Sequence, residues 1–198
     1  MSRKRLSTYT APPAEVTRAL DELRARYEVP TAFPPEALAE AEAAATSWAQ
    51  DGPAQLLTDG ARDARDLDLV TIDPPGSMDL DQAVLLERLP ARSEAAGALV
   101  GDAPGSAVTY RVHYAIASLA TFVTPGSALD AELGRRGETI YAPDAATPLH
   151  PEVLSHGAAS LLEDVDRPAC LWTIDLDARG EVVSARVERA LVRSRARL

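Results

Sequence analysis

Lysine is nearly absent from this sequence: Lys4 is the only one, so almost all positive charge is carried by arginine. Arginine suits forked contacts to phosphate. An Ala- and Arg-rich composition is also what GC-rich coding produces, and that explanation carries more weight than a partner. Cysteine occurs once, as Cys170, which excludes an internal disulfide and points to a reducing cytoplasm. Cys170 lies in the apolar run Ala169-Cys170-Leu171-Trp172, where a thiol reads as a small buried hydrophobe rather than a nucleophile. Aromatic residues make up 5% of the chain, which fits a small-residue core. No apolar run reaches the roughly 18 residues that a membrane-spanning helix needs, so no membrane partner is expected. The basic start Met-Ser-Arg-Lys-Arg leads into no apolar stretch, so it does not read as a signal peptide.

What remains is the composition of a globular protein, with 46% apolar and 25% charged residues in 198. That length supports one main core with room for a small appendage. The net charge of −10 argues by itself against a polyanionic partner. Two features weigh against that: carboxylates gathered around a metal become locally neutral when the metal is bound, and arginines are concentrated at the end, with Arg186, Arg189, Arg193, Arg195 and Arg197.

Val16, Leu20, Leu23 and Tyr27 fall at helical spacing and predict an amphipathic helix over 13–29. A second helix is predicted from Pro35, a suitable first helical residue, to Gln50, where Asp51-Gly52-Pro53 should stop it. Residues 1–65 thus read as a helical appendage, and 66–198 as the principal domain. Leu67 to Ile72, Ala83 to Leu89 and Val108 to Ala117 read as strands, with the Ala-, Gly- and Ser-rich stretch 91–106 as a surface loop. Ser127 and Asp130 are spaced like a capping box opening a helix that ends near Gly137. A loop over 143–151 and a short helix over 151–156 should follow. Cys170 to Asp175 and Glu181 to Val192 read as a hairpin around Asp177-Ala178-Arg179-Gly180. The fold class is therefore α+β: mainly antiparallel sheet with inserted helices, preceded by a small helical segment.

The segment with chemistry in it is Thr71-Ile72-Asp73-Pro74-Pro75-Gly76-Ser77-Met78-Asp79-Leu80-Asp81-Gln82. A Pro-Pro-Gly turn at a strand end can fold Asp79 and Asp81 back beside Asp73. Three carboxylates so placed repel one another, and a hard divalent cation such as Mg2+, or Mn2+, relieves this. Such a site suits phosphodiester hydrolysis. Acidic turns also serve as solvated loops or helix caps, and spacing alone does not choose between these readings. Thr173-Ile174-Asp175-Leu176-Asp177 repeats the pattern of aspartates after an apolar strand, but the turn that follows at once explains both of them. His113 and His156 are isolated, so core or solvated roles are expected, and His150 is assigned none.

The acidic segment resembles the signature of the ribonuclease II/R (RNB) catalytic domain. The resemblance continues in order through Ala115-Ile116-Ala117, Phe122-Val123, Pro125-Gly126-Ser127-Ala128-Leu129-Asp130, Arg136-Gly137, Tyr141-Ala142-Pro143, Pro148-Leu149-His150-Pro151, Leu154-Ser155 and Ser160-Leu161. It covers about residues 66–198 and implies the front portion of that domain. It implies that Asp73, Asp79 and Asp81 bind metal, that Asp81 is the critical catalytic residue, and that Tyr141 stacks on an RNA base. It further implies a magnesium-dependent 3′-to-5′ exoribonuclease that acts on single-stranded RNA and releases nucleoside 5′-monophosphates, with no DNA substrate. The family's fourth aspartate is Gln82 here, and a later one is Ser118. Because the family's domain continues beyond the equivalent of Leu198, a truncated gene product or an engineered fragment is expected. The alternatives are a non-catalytic or truncated RNB-fold RNA-binding protein and a calcium-type structural loop.

Overall fold

Strands with period-two alternation must bury one face, and a short sheet can do so by closing on itself. The computed structural model describes residues 14–90 and 108–198; the loop expected over 91–106 lies outside them. Its helices are α1 (Ala14–Arg26), α2 (Pro35–Thr58) and α3 (Ala128–Arg136). Its strands are β1 (Arg62–Asp63), β2 (Leu69–Thr71), β3 (Gln82–Arg88), β4 (Tyr110–Ala117), β5 (Ile140–Tyr141), β6 (Ala146–Thr147), β7 (Asp166–Leu176) and β8 (Val182–Arg197).

β3, β4, β7 and β8 pair antiparallel in succession, from Gln82↔Ile116 through Ile116↔Cys170 to Cys170↔Arg189. The far end of β8 then pairs parallel with β2, at Thr71↔Arg197, and β2 pairs back on β3 at Val70↔Val84. The ring β8-β2-β3-β4-β7 is thereby closed, with β1 added on β8. Closure depends on the 16-residue length of β8, whose successive parts serve β7 and β2. The α+β expectation of mainly antiparallel sheet with inserted helices is met, and the sheet is a barrel.

An eight-stranded barrel is only just filled by side chains, so a five-stranded ring must take small ones. Ala83, Ala115, Ala169 and Ala190 accordingly share the barrel core with Leu69, Leu80, Leu161, Leu171 and Val192. Their neighbours along the strands, Ile116 and Trp172, face outward and are partly exposed. The hairpin expectation is met: Asp177 Oδ1 accepts from Arg179 N at 2.8 Å and Glu181 N at 2.9 Å, and Gly180 takes φ +84°.

The expected stop of α2 at Asp51-Gly52-Pro53 is corrected, because the helix runs through Pro53 to Thr58. Its apolar stripe continues past the proline: Ala37, Ala41, Trp48 and Leu56 all enter a second core with Phe122, Leu129, Leu154 and Leu191. Burying a side chain such as Leu56 is worth about 1.5–3 kcal/mol, which together with Trp48 offsets the roughly 3 kcal/mol that an internal proline costs. Gly52 is needed there, since a Cβ on it would lie 2.4 Å from Trp48 Cε3. By contrast, α1 buries no residue, and Arg24 ties it to Asp144 in the β5–β6 turn.

The cap expected at α3 is present and has a different second half. Ser127 Oγ accepts from Asp130 N, while the Asp130 carboxylate turns to Gly126 N at 2.8 Å. Glu40 of α2 accepts from Leu129 N at 2.8 Å and Ala128 N at 3.2 Å. These N–H donors, Leu129 first, hold the Glu40 carboxyl below its ordinary pKa. Arg136 at the other end of α3 is buried, donating to Glu132, Pro148 O and Ala32 O and lying 3.6 Å over the Phe33 ring. The short helix expected over 151–156 forms as a wide turn, Val153–Ala158.

Candidate functional site

The acidic loop joins β2 to β3 at one end of the barrel. Pro74-Pro75-Gly76-Ser77 makes a tight turn closed by Ser77 N to Pro74 O at 3.1 Å. Gly76 has φ +93°, as position three of a type II turn requires, after a proline at position two. The chain then turns inward at Leu80, whose side chain is 2% exposed in the barrel core. Leu80 N donates to Ser160 Oγ at 3.0 Å, and Leu80 O accepts from Leu161 N at 2.7 Å. Ser160 Oγ donates to Met78 O at 2.6 Å, and Asp81 O accepts from Ala117 N at 2.9 Å. Arg197 donates to Ser77 O at 2.9 Å from the end of β8.

Asp79 and Asp81, on either side of the inward Leu80, are exposed, and Asp73 is half-buried. Among the described residues, no group of three Asp, Glu, His or Cys side chains is gathered to hold a metal. The sequence expectation of three converging carboxylates is therefore not met in this geometry. Among the described residues, the hydrogen bonds that hold this loop act on its backbone, and none fixes the carboxylate of Asp73, Asp79 or Asp81. The donor set still fits a hard cation in its chemistry. Magnesium takes one or two protein carboxylates and completes its shell with water and phosphate oxygens, so it does not need a closed protein cage.

Tyr141 stands 79% exposed on the β5–β6 ribbon, opposite Ala146. Among the described residues no hydrogen bond, ion pair or ring contact links it to the acidic loop. The aspartates of the second acidic pattern are structural: Arg111 grips Asp175 at 2.7 and 3.1 Å, with Ser184 Oγ at 3.1 Å. That arginine holds the Asp175 carboxyl below its usual range. His113 is a core histidine at 3% exposure, 3.0 Å from Glu87, and burial lowers its pKa. The arginines at the end of the chain are mostly engaged internally: Arg193 with Asp166, Arg195 with Asp68 and Arg65 O, Arg186 with Glu188.

A model of the RNB domain matches residues 61–198. The chain belongs to the RNB domain family. It is 34% identical over 192 residues to ribonuclease R of Acidithiobacillus ferrooxidans, covering 97% of this chain and 38% of that protein. The chain thus spans well under half the length of that relative. In structure it resembles Mycoplasma genitalium RNase R in complex with ribose-methylated single-stranded RNA, with a TM-score of 0.59 and 27% identity over 70% of this chain and 19% of that one. It shares the fold of yeast Ssd1, described as a pseudonuclease, with a TM-score of 0.54 and 15% identity over 71% of this chain and 16% of that one.

Within this RNB chain, Gln82 and Ser118, the positions at which the resemblance implies aspartates, lie near the loop's exit. Gln82 opens β3 and accepts from the Tyr114 hydroxyl. Ser118, next to the Ala117 that holds Asp81 O, accepts from Thr121 Oγ1 at 3.0 Å. Sequence reasoning gave no role to Ser160, which reaches the loop from 80 residues away, nor to Arg167, whose Nε donates to Ser160 O at 2.8 Å. Only the place of Ser160-Leu161 among the collinear family motifs could have pointed to them. No helix among the described residues is long and apolar enough to cross a membrane.

Proposed function

We propose that this chain carries the acidic metal loop of a 3′-to-5′ exoribonuclease, dependent on Mg2+ or Mn2+, that hydrolyses single-stranded RNA to nucleoside 5′-monophosphates in the cytoplasm. The observation that carries this reading is a strand-end loop with three aspartates, none of whose carboxylates has a hydrogen-bond or ion-pair partner among the described residues, in a chain of the RNB family. Unpaired carboxylates held on a fixed backbone are free to accept a cation and a phosphate together. Asp73 and Asp79 would hold the metal, and Asp81 would orient the attacking water. A cation held by these residues would supply positive charge to the scissile phosphate and the leaving oxygen. Tyr141, exposed on its ribbon, stacks on a terminal base; stacking accepts any base, which suits degradation without sequence preference. The direction of attack and the product follow the family resemblance.

The test is degradation of a 5′-labelled single-stranded RNA with and without magnesium, with Asp81→Asn alongside. Metal-dependent shortening from the 3′ end, lost in the variant while RNA binding persists, supports the assignment; unchanged turnover in Asp81→Asn sinks it. A second reading, a non-catalytic or truncated RNB-fold RNA-binding protein, is favoured by Gln82 and Ser118, whose side chains are occupied by Tyr114 and Thr121. RNA binding without metal affinity at the loop would select it.

A further inference from the structure

Asp79 has one peptide group on each side, and a single hydroxyl holds both. Ser160 Oγ donates to the Met78 carbonyl at 2.6 Å and accepts from the Leu80 N–H at 3.0 Å. With those two peptide planes fixed, the φ and ψ of Asp79 are fixed, and its carboxylate keeps only side-chain freedom. The neighbouring pair is held in the same way for Asp81, by Leu161 N on Leu80 O at 2.7 Å and Ala117 N on Asp81 O at 2.9 Å. Those two bonds come from backbone and do not depend on a side chain, proline excepted. The one at Asp79 depends on a single side-chain atom that both donates and accepts, as a hydroxyl oxygen does. Ser160 is 2% exposed, so bulk water cannot readily replace it. Its own backbone is held from the far side by Arg167, which donates to Ser160 O at 2.8 Å and to Asp166 O at 3.0 Å. Among the described residues Arg167 forms no salt bridge, and its hydrogen bonds go to main-chain carbonyls.

We propose that Ser160 is a positioning residue of the acidic loop, whose buried hydroxyl fixes the backbone from which the Asp79 side chain departs and with it the loop's affinity for a divalent cation. The inference rests on the reading of this loop as a metal site. Groups that orient metal ligands typically change affinity by roughly 10–100-fold when removed.

Mn2+ alone, titrated into the 198-residue chain and followed by electron paramagnetic resonance of the free ion, provides the test. Ser160→Ala should bind about tenfold or more weakly, with the far-UV circular dichroism of the parent, and Ser160→Thr, which keeps the hydroxyl, should recover most of that loss. Should Ser160→Ala melt below the assay temperature, Ser160→Cys takes its place with the same criterion. A folded Ala or Cys variant with parental affinity overturns the positioning role and leaves the metal reading intact, as does a Thr variant weakened as much as Ala. Absence of Mn2+ binding by the parent, with Asp81→Asn indistinguishable from it, overturns the metal reading and the positioning role together.

Discussion

In an isolated helix, replacing Gly52 by alanine would stabilise the chain by about 1 kcal/mol. In this protein the sign should reverse. The new Cβ would meet Trp48 Cε3 at 2.4 Å and Cδ2 at 2.8 Å, atoms of a ring that is 6% exposed and cannot swing into water. The ring also packs edge-on against Phe122, with centroids 5.6 Å apart, and displacing it weakens a contact worth about 0.5–1.5 kcal/mol. Overpacking of this kind costs about 1–3 kcal/mol, so with the weakened ring contact added and the helix-propensity gain subtracted the net loss should be about 0.5–3.5 kcal/mol. For a chain of this size each kcal/mol moves the melting temperature by roughly 2–4 °C. Urea denaturation followed by circular dichroism measures the loss. Repeating the substitution in a Trp48→Leu background removes the clash, and there Gly52→Ala should stabilise by about 1 kcal/mol. A higher urea midpoint for Gly52→Ala in the parent would refute the clash with Trp48 as the reason for a glycine at this position.

Acid should destabilise the fold through two histidines, the buried His113 and the half-buried His150. Burial lowers the native pKa values of His113 and His150 below the ordinary 6.5, so the unfolded chain takes up protons first as pH falls. Stability is therefore full above that range and is lost as pH falls through it towards the depressed native values; a pH–stability slope unchanged in a His113→Gln, His150→Gln double variant would contradict this. Asp175→Asn should cost about 1–3 kcal/mol through weakened bonds to Arg111 and Ser184 while leaving Mn2+ affinity at parental strength, and a lowered affinity would reopen the second acidic pattern as a site. Tyr141→Ala should change stability by less than about 0.5 kcal/mol yet weaken single-stranded RNA binding by about 1–3 kcal/mol, a difference read by fluorescence anisotropy; unaltered RNA affinity would remove Tyr141 from the interface.

Much of this fold is legible along the chain because it is local. Asp177 through Gly180 form a turn wherever they stand, since an aspartate can accept from N–H groups two and four residues on and glycine tolerates positive φ. Ser127 caps α3 for the same reason, and Pro75-Gly76 can make only a narrow set of turns. The period-two runs marked β2, β3, β4 and the β7–β8 hairpin, because alternation is a property of neighbours. The acidic loop was recognisable as a candidate metal site, and the collinear motifs placed it in its family.

Tertiary structure decided the rest, in each case because the partner lies far along the chain. Pro53 reads locally as a helix stop and is overridden by Leu56 and Trp48 packing with Phe122 and Leu154. Closure of the barrel depends on how far β8 reaches, to pair Arg197 with Thr71, which no window of residues encodes. The aspartates themselves are chosen by the sequence, but the backbone that aims them is held by Ser160, Leu161 and Ala117. A short-range pattern records which groups a segment offers; only packing, which desolvates some of them and pairs them across long separations, fixes where they point.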